Sequence, residues 1–251
     1  MPNVIYIHGA NADSDSFNYY KLKLPEHESI APNYDMSEDP FDLVMSFQRQ
    51  KEKAFGNEPV IIVGHSFGGI LGSWYASVNP GIVSHLITIA TPWEGTPVAR
   101  IFGYFWRNAD VFKNNMPGAV VLSMLQEKKF EGPHTNIICT RGANPVAGIG
   151  GKANDGMISC DSQGATPVGF KNTQTYHIEA GHSGVLLNNN VTELLQKIMI
   201  GETDERLVDT EWHSRRTTSK RVNTTKTAKW FFDGSCRTFR KSCKRRTRTK
   251  V

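Results

Sequence analysis

The segment that most constrains this 251-residue chain is Gly64-His65-Ser66-Phe67-Gly68-Gly69. It stands between Val60-Ile61-Ile62-Val63, a continuous β-branched run, and residues 70–78, which read as a helix stopped by Asn79-Pro80-Gly81. A G-x-S-x-G pattern between a strand and a helix is the context a nucleophile turn requires. The turn is so sharp that the serine is held in a strained backbone conformation. Side chains two residues before and two after it would strike neighbouring backbone, so Gly64 and Gly68 fit there. The serine oxygen then stands at the C-terminal edge of a sheet, beside the N–H groups and partial positive charge of a helix start. The bland alternative is an ordinary glycine turn, and the flanking strand and helix count against it.

The rest of the first 200 residues alternates in the same way. Residues 4–7 form an apolar run ended by His8-Gly9, and 29–31, 85–90, 136–140 and 173–178 also read as strands. Residues 14–24, 40–55 and 185–200 read as helices, the second with Asp39 as its cap and Phe41, Val44, Met45 and Phe47 at apolar positions. Buried runs alternating with helices predict an α/β fold: a parallel sheet covered on both faces.

Charge divides the chain. Residues 1–200 hold 14 Lys+Arg against 18 Asp+Glu, whereas 201–251 hold 15 against 6, so the net +5 comes from the end of the chain. The expected organisation is a globular domain over 1–200 and a basic, flexible tail over 201–251. From His213 onward aliphatic residues are too few to supply a core. The tail interleaves Arg and Lys with Trp230, Phe231, Phe232 and Phe239, which suits nucleic acid or an anionic membrane surface, the alternative being a solvated extension without a partner. No stretch approaches the roughly 20 apolar residues of a membrane span, and no secretory signal is visible, so a cytoplasmic setting is expected. Cys139, Cys160, Cys236 and Cys243 form no metal-like cluster.

These features resemble the α/β-hydrolase family, and within it the small lipases and esterases, over about residues 3–200. The resemblance rests on the early strand followed by His8-Gly9-Ala10-Asn11, on the elbow, and on Thr91-Pro92-Trp93-Glu94-Gly95-Thr96 after the next strand. It implies a mostly parallel central sheet with helices on both faces and a helical cap insertion over 93–134. It also implies the chain order serine, acid, histidine.

On that basis Ser66 is the expected nucleophile, and His182, in Gly181-His182-Ser183 after the last strand, is the expected base. His177 lies within the strand, His65 should point away from Ser66, and His8 shapes the loop after the first strand. The expected acid is Asp155, in Asn154-Asp155-Gly156, with Asp161 as its rival and an ordinary surface turn as the bland reading. The resemblance places oxyanion donors at the backbone N–H groups of Phe67 and Ala10, with Asn11 as the alternative second donor and a candidate substrate-binding residue. Trp93, Phe102, Phe105 and Trp106 are candidate substrate-binding residues in the cap, although an aromatic stripe equally suits packing of crossover helices onto the sheet.

The implied activity is hydrolysis of carboxylic esters, or other small acyl substrates, through an acyl-enzyme. No metal or organic cofactor is required. Thioesterase, acyltransferase and amidase chemistry share the same triad. The competing class is a hydrolase-like interaction module whose basic tail, over 213–251, binds nucleic acid or an anionic membrane.

Overall fold

The computed structural model describes residues 1–34, 38–99 and 119–202. Six parallel strands form one sheet: β1 (Asn3–Ile7), β2 (Ser29–Ile30), β3 (Val60–His65), β4 (Val83–Ile89), β5 (His134–Cys139) and β6 (Thr173–Ile178). Their spatial order is β2-β1-β3-β4-β5-β6. The chain leaves β1 for β2 on one side and returns to β3 on the other, so the strand order reverses between β1 and β3. Crevices at such a reversal, beyond the carboxyl ends of the strands, are where open α/β sheets bind ligands.

Alternation along each strand builds the two cores. Ile5, Ile7, Val60, Ile62 and Leu86 face one layer, where α2 (Pro40–Phe55), α3 (Phe67–Val78) and α4 (Val120–Gln126) pack. Val4, Tyr6, Ile61, Val63, Ile87 and Ile89 face the other, against Tyr20 of α1 (Asn18–Lys23) and Val191, Leu194, Leu195 and Met199 of α6 (Asn189–Met199). Each such side chain contributes roughly 1.5–3 kcal/mol by leaving water. Because both faces are covered, β3 is a continuous apolar run instead of an alternating one.

Element boundaries differ from expectation where polar chemistry intervenes. The α2 helix spans the expected residues, with Asp39 accepting a hydrogen bond from the Phe41 N–H and Pro40 in its first turn. Phe41 and Met45, however, lie on its exposed side. The expected helix over 14–24 divides into a 3-10 turn, Ser14–Phe17, and α1. The expected helix over 185–200 also divides, because the Asn188 side chain accepts from the Asn190 and Val191 N–H groups and starts α6 anew after the turn Gly184–Leu187. A five-residue helix, α5 (Cys160–Gly164), was not anticipated; the Ser159 side chain caps it by accepting from the Ser162 N–H. Of the expected cap insertion, the described end is core, since Val121, Leu122 and Leu125 of α4 pack with Phe130 in the same layer as α3. Phe102, Phe105, Trp106 and residues 203–251 lie outside the described residues.

Candidate active site

Ser66 links β3 directly to α3, with φ 54° and ψ −124°. A non-glycine residue in such a region costs on the order of 1–3 kcal/mol and persists only where its surroundings over-determine it. Here the Ser66 N–H donates to the Ile89 carbonyl at 2.8 Å, and the Ser66 carbonyl accepts from the Gly69 N–H at 2.9 Å. The two glycines are steric necessities. A Cβ on Gly68 would stand 2.1 Å from the Ile7 carbonyl oxygen, and one on Gly64 would stand 2.6 Å from the Gly68 carbonyl oxygen. The elbow is thus wedged against the end of β1.

Beyond β6, the backbone N–H of His182 donates to the Asp155 carbonyl at 2.9 Å. Its side chain bridges the other two groups: Nδ1 donates to Asp155 Oδ2 at 2.7 Å, and Nε2 accepts from Ser66 Oγ at 3.1 Å. Asp155 lies in a loop between β5 and α5, and its side chain is fully buried. Four donors meet that carboxylate. Oδ1 accepts from the Met157 and Ile158 N–H groups at 2.8 and 2.7 Å; Oδ2 accepts from His182 and from Gln163 Nε2, the latter at 3.1 Å. A buried carboxylate needs such partners, since an unpaired buried charge is very costly. The rival Asp161 is half exposed and pairs with Lys152 at 3.0 Å.

Two further histidines brace this centre. The His65 ring lies against that of His182, with ring centroids 4.9 Å apart. Its Nε2–H donates to the His182 carbonyl at 2.8 Å. Burial, reinforced by the neighbouring His182, pushes the His65 pKa down to about 3, so it is a neutral donor at ordinary pH. His8 stacks on Tyr34 at 4.1 Å, its Nδ1–H donates to the Gly9 carbonyl, and the Tyr34 hydroxyl donates to the His8 carbonyl. These three contacts fix the loop that carries Ala10. Burial lowers the His8 pKa as well. The remaining described histidines serve other places: His177 stays in β6, His27 pairs with Glu26, and His85 and His134 bond to threonine hydroxyls in the sheet.

Ser66 and His182 open into a groove of about 230 Å³. Ala10, Asn11 and Ser183 line it on one side; Pro92, Val98, Ala99, Met157 and Ile158 give it apolar walls. Asn11 adopts a left-handed backbone, φ 54°, at its rim. Phe67 is the first residue of α3, so its N–H is one of the groups a helix start leaves without an internal partner. The wall segments are tied together: Thr96 Oγ1 donates to the Met157 carbonyl at 2.5 Å, and Ser162 Oγ donates to the Gly95 carbonyl at 2.7 Å.

Trp93 corrects a sequence expectation. It does not line this groove but is buried to 1% exposure, set edge-on to His134 and Phe170, with its indole N–H directed at Asn136 Oδ1. Sequence reasoning also missed Gln163 and Asn154. An isolated glutamine in a short helix carries no motif, and Asn-Asp-Gly reads as ordinary turn chemistry.

Comparison with known proteins is consistent with this architecture. Residues 2–116 match the model of the alpha/beta hydrolase fold. A 41-residue stretch is 54% identical to an abhydrolase domain-containing protein, lid-1, of Caenorhabditis elegans, covering 16% of this chain and 11% of that protein's length. Among solved structures, the mature lipase BlEst2 of Bacillus licheniformis superposes with a TM-score of 0.61 at 16% identity, over 79% of this chain and 91% of that one. A thioesterase domain from the curacin biosynthetic pathway superposes with a TM-score of 0.53 at 14% identity, over 79% and 90%. At these identities the structural likeness speaks to fold alone. With the parallel sheet of its described residues and the serine elbow, the chain has the α/β-hydrolase fold.

Proposed function

We propose that this protein is a serine hydrolase that cleaves carboxylic esters by two-step acyl transfer. The observation that carries the reading is the continuous line of hydrogen bonds from Asp155 through His182 to Ser66, at 2.7 and 3.1 Å, ending at a serine held in a strained turn. In the first step His182 Nε2 takes the Ser66 proton as Oγ bonds to the ester carbonyl carbon. The oxyanion accepts hydrogen bonds from the Phe67 and Ala10 N–H groups, donors worth roughly 3 kcal/mol each in other enzymes. His182 returns the proton to the departing alkoxide, and the alcohol leaves. Water, deprotonated by the same imidazole, then attacks the acyl carbon; the bond to Ser66 Oγ breaks, His182 returns the proton to that oxygen, and the acid leaves. Asp155 stays ionised throughout, holding the Nδ1–H tautomer and stabilising the imidazolium.

The apolar walls at Pro92, Val98, Ala99, Met157 and Ile158 favour apolar acyl groups. The test is hydrolysis of p-nitrophenyl esters together with fluorophosphonate labelling. Ser66→Ala is expected to fold, to lose labelling, and to lose turnover by about 10⁴-fold or more. Undiminished turnover in that variant would sink the assignment. Ester and thioester series of matched acyl length then rank the leaving groups.

A further inference from the structure

We infer that Gln163 is a positioning residue that sets the basicity of the Asp155–His182 pair, an inference that rests on the triad reading above. Gln163 is entirely buried in α5, between the acid loop and the end of β5. Its amide orientation follows from its neighbours, because the backbone N–H of Cys139 requires an acceptor and meets Gln163 Oε1 at 2.7 Å. The amino end therefore faces three acceptors: Asp155 Oδ2 and the Cys139 carbonyl, each at 3.1 Å, and the Ile158 carbonyl at 3.2 Å. The backbone is anchored as well, since Asn136 Nδ2 donates to the Gln163 carbonyl at 2.9 Å.

Two consequences follow. First, the side chain clamps the acid to the sheet. Asp155 belongs to a long loop, and the Cys139 backbone is the edge of a rigid strand, so one amide transfers the strand's position to the carboxylate. Second, the oxygen that Gln163 touches is the same Oδ2 that receives the His182 N–H. A hydrogen bond to a carboxylate favours its ionised form and lowers its affinity for a proton. Sharing Oδ2 with Gln163 thus weakens the pull of Asp155 on the imidazolium. Removing the amide concentrates charge on that oxygen, strengthens the imidazolium and makes His182 harder to deprotonate. A general base must be neutral to act, so the acid limb of the rate profile then moves to higher pH.

Gln163→Met keeps the length of the side chain and removes the donor. With a p-nitrophenyl ester, the acid limb of kcat/KM is expected to move up by about 0.5–1 pH unit. On the plateau kcat is expected to fall by about tenfold, while KM changes less than twofold, because Gln163 does not line the groove. Should Gln163→Met fail to fold by circular dichroism, Gln163→Asn withdraws the amide from Asp155 yet leaves a polar group in the site, and the same upward shift is expected. An acid limb at the wild-type position in a folded variant overturns the inference. So does a loss confined to thermal stability with kcat intact. Ester turnover that survives Ser66→Ala in the otherwise wild-type protein breaks the triad reading instead, so the two failures are distinguishable.

Discussion

The turns that carry Ser66 and Asp155 stand at the same edge of the sheet, yet opposite kinds of force shape them. The elbow is shaped by repulsion. Hydrogen bonds to Ile89 and Gly69 hold Ser66 at φ 54°, but the residue types around it are set by sterics: Gly64 and Gly68 are there because a Cβ would overlap a carbonyl at under 3 Å. The acid turn is shaped by attraction. Asp155 is held by four donors, and Asn154 beside it accepts from the Gly156 and Asn144 N–H groups at 2.9 and 3.3 Å while donating back to the Asn144 carbonyl. A clash can be relieved only by removing an atom, so it dictates residue type at fixed positions. A hydrogen bond can be supplied by any donor the fold delivers, so its partners are scattered along the chain.

The sharpest way to break this comparison is to remove one charge from the attractive turn. Asp155→Asn preserves size and leaves Oδ1 to accept from Met157 and Ile158, but it presents His182 with the wrong partner at Nδ1. We expect kcat for ester hydrolysis to fall by about 10³–10⁴-fold with the fold intact, because the imidazole tautomer and the imidazolium both lose their support. Steady-state kinetics with circular dichroism checks this; a loss under tenfold would remove Asp155 from the proposed role.

The repulsive turn is expected to fail differently. Gly68→Ala places a methyl group against the Ile7 and His8 carbonyls, at 2.1 and 2.4 Å, and neither strand nor helix has room to yield. It should cost about 3 kcal/mol or more of stability, read from urea unfolding, with activity falling because the protein unfolds. A folded Gly68→Ala of wild-type stability would mean that the elbow is looser than its contacts imply.

This division also explains what the sequence could reveal. The elbow, the strands β1, β3 and β6 and the helix α2 were legible because glycine sterics, β-branched runs and a Pro-Asp cap act locally. His182 and Asp155 came only from what the family resemblance implies about chain order and the acid's position, and the fold brings their side chains into line with Ser66. Gln163 and the bond from His65 to the His182 carbonyl were not legible, since each depends on partners that only the fold brings together, whereas the break at Asn188 is a local cap inside an otherwise continuous apolar pattern. Trp93, open in sequence between substrate site and core, lies in the core for a related reason. Composition says that an indole will be buried, and only the packing of β5 against Phe170 says where.

Two buried neutral histidines, His65 in the elbow and His134 at the start of β5, should both respond to acid. Burial pushes His65 in the elbow and His134 in β5 down to about 3, whereas in the unfolded chain both titrate near 6.5. The unfolded state therefore binds more protons as pH falls below 6.5. The stabilisation is complete above that pH and is lost progressively toward pH 3. Between pH 7 and 5 the two groups together predict a loss of about 4 kcal/mol in unfolding free energy. Urea denaturation at the two values measures it, and stability that stays flat would show that neither ring is held neutral.

The smallest expected effect concerns Trp93, which lies between the two turns in sequence but belongs to neither. Its ring is enclosed by His134 and Phe170 and bonded through Nε1 to Asn136. Trp93→Phe removes part of that volume and the N–H donor, for a cost of about 1–2 kcal/mol. Because the indole does not reach the groove, KM for short and long acyl esters should each remain within about twofold of wild type. If instead the acyl-length preference shifts while stability holds, the apolar wall of the groove extends through Trp93. The boundary between core and substrate site would then lie one layer deeper than the Pro92–Ile158 contacts place it.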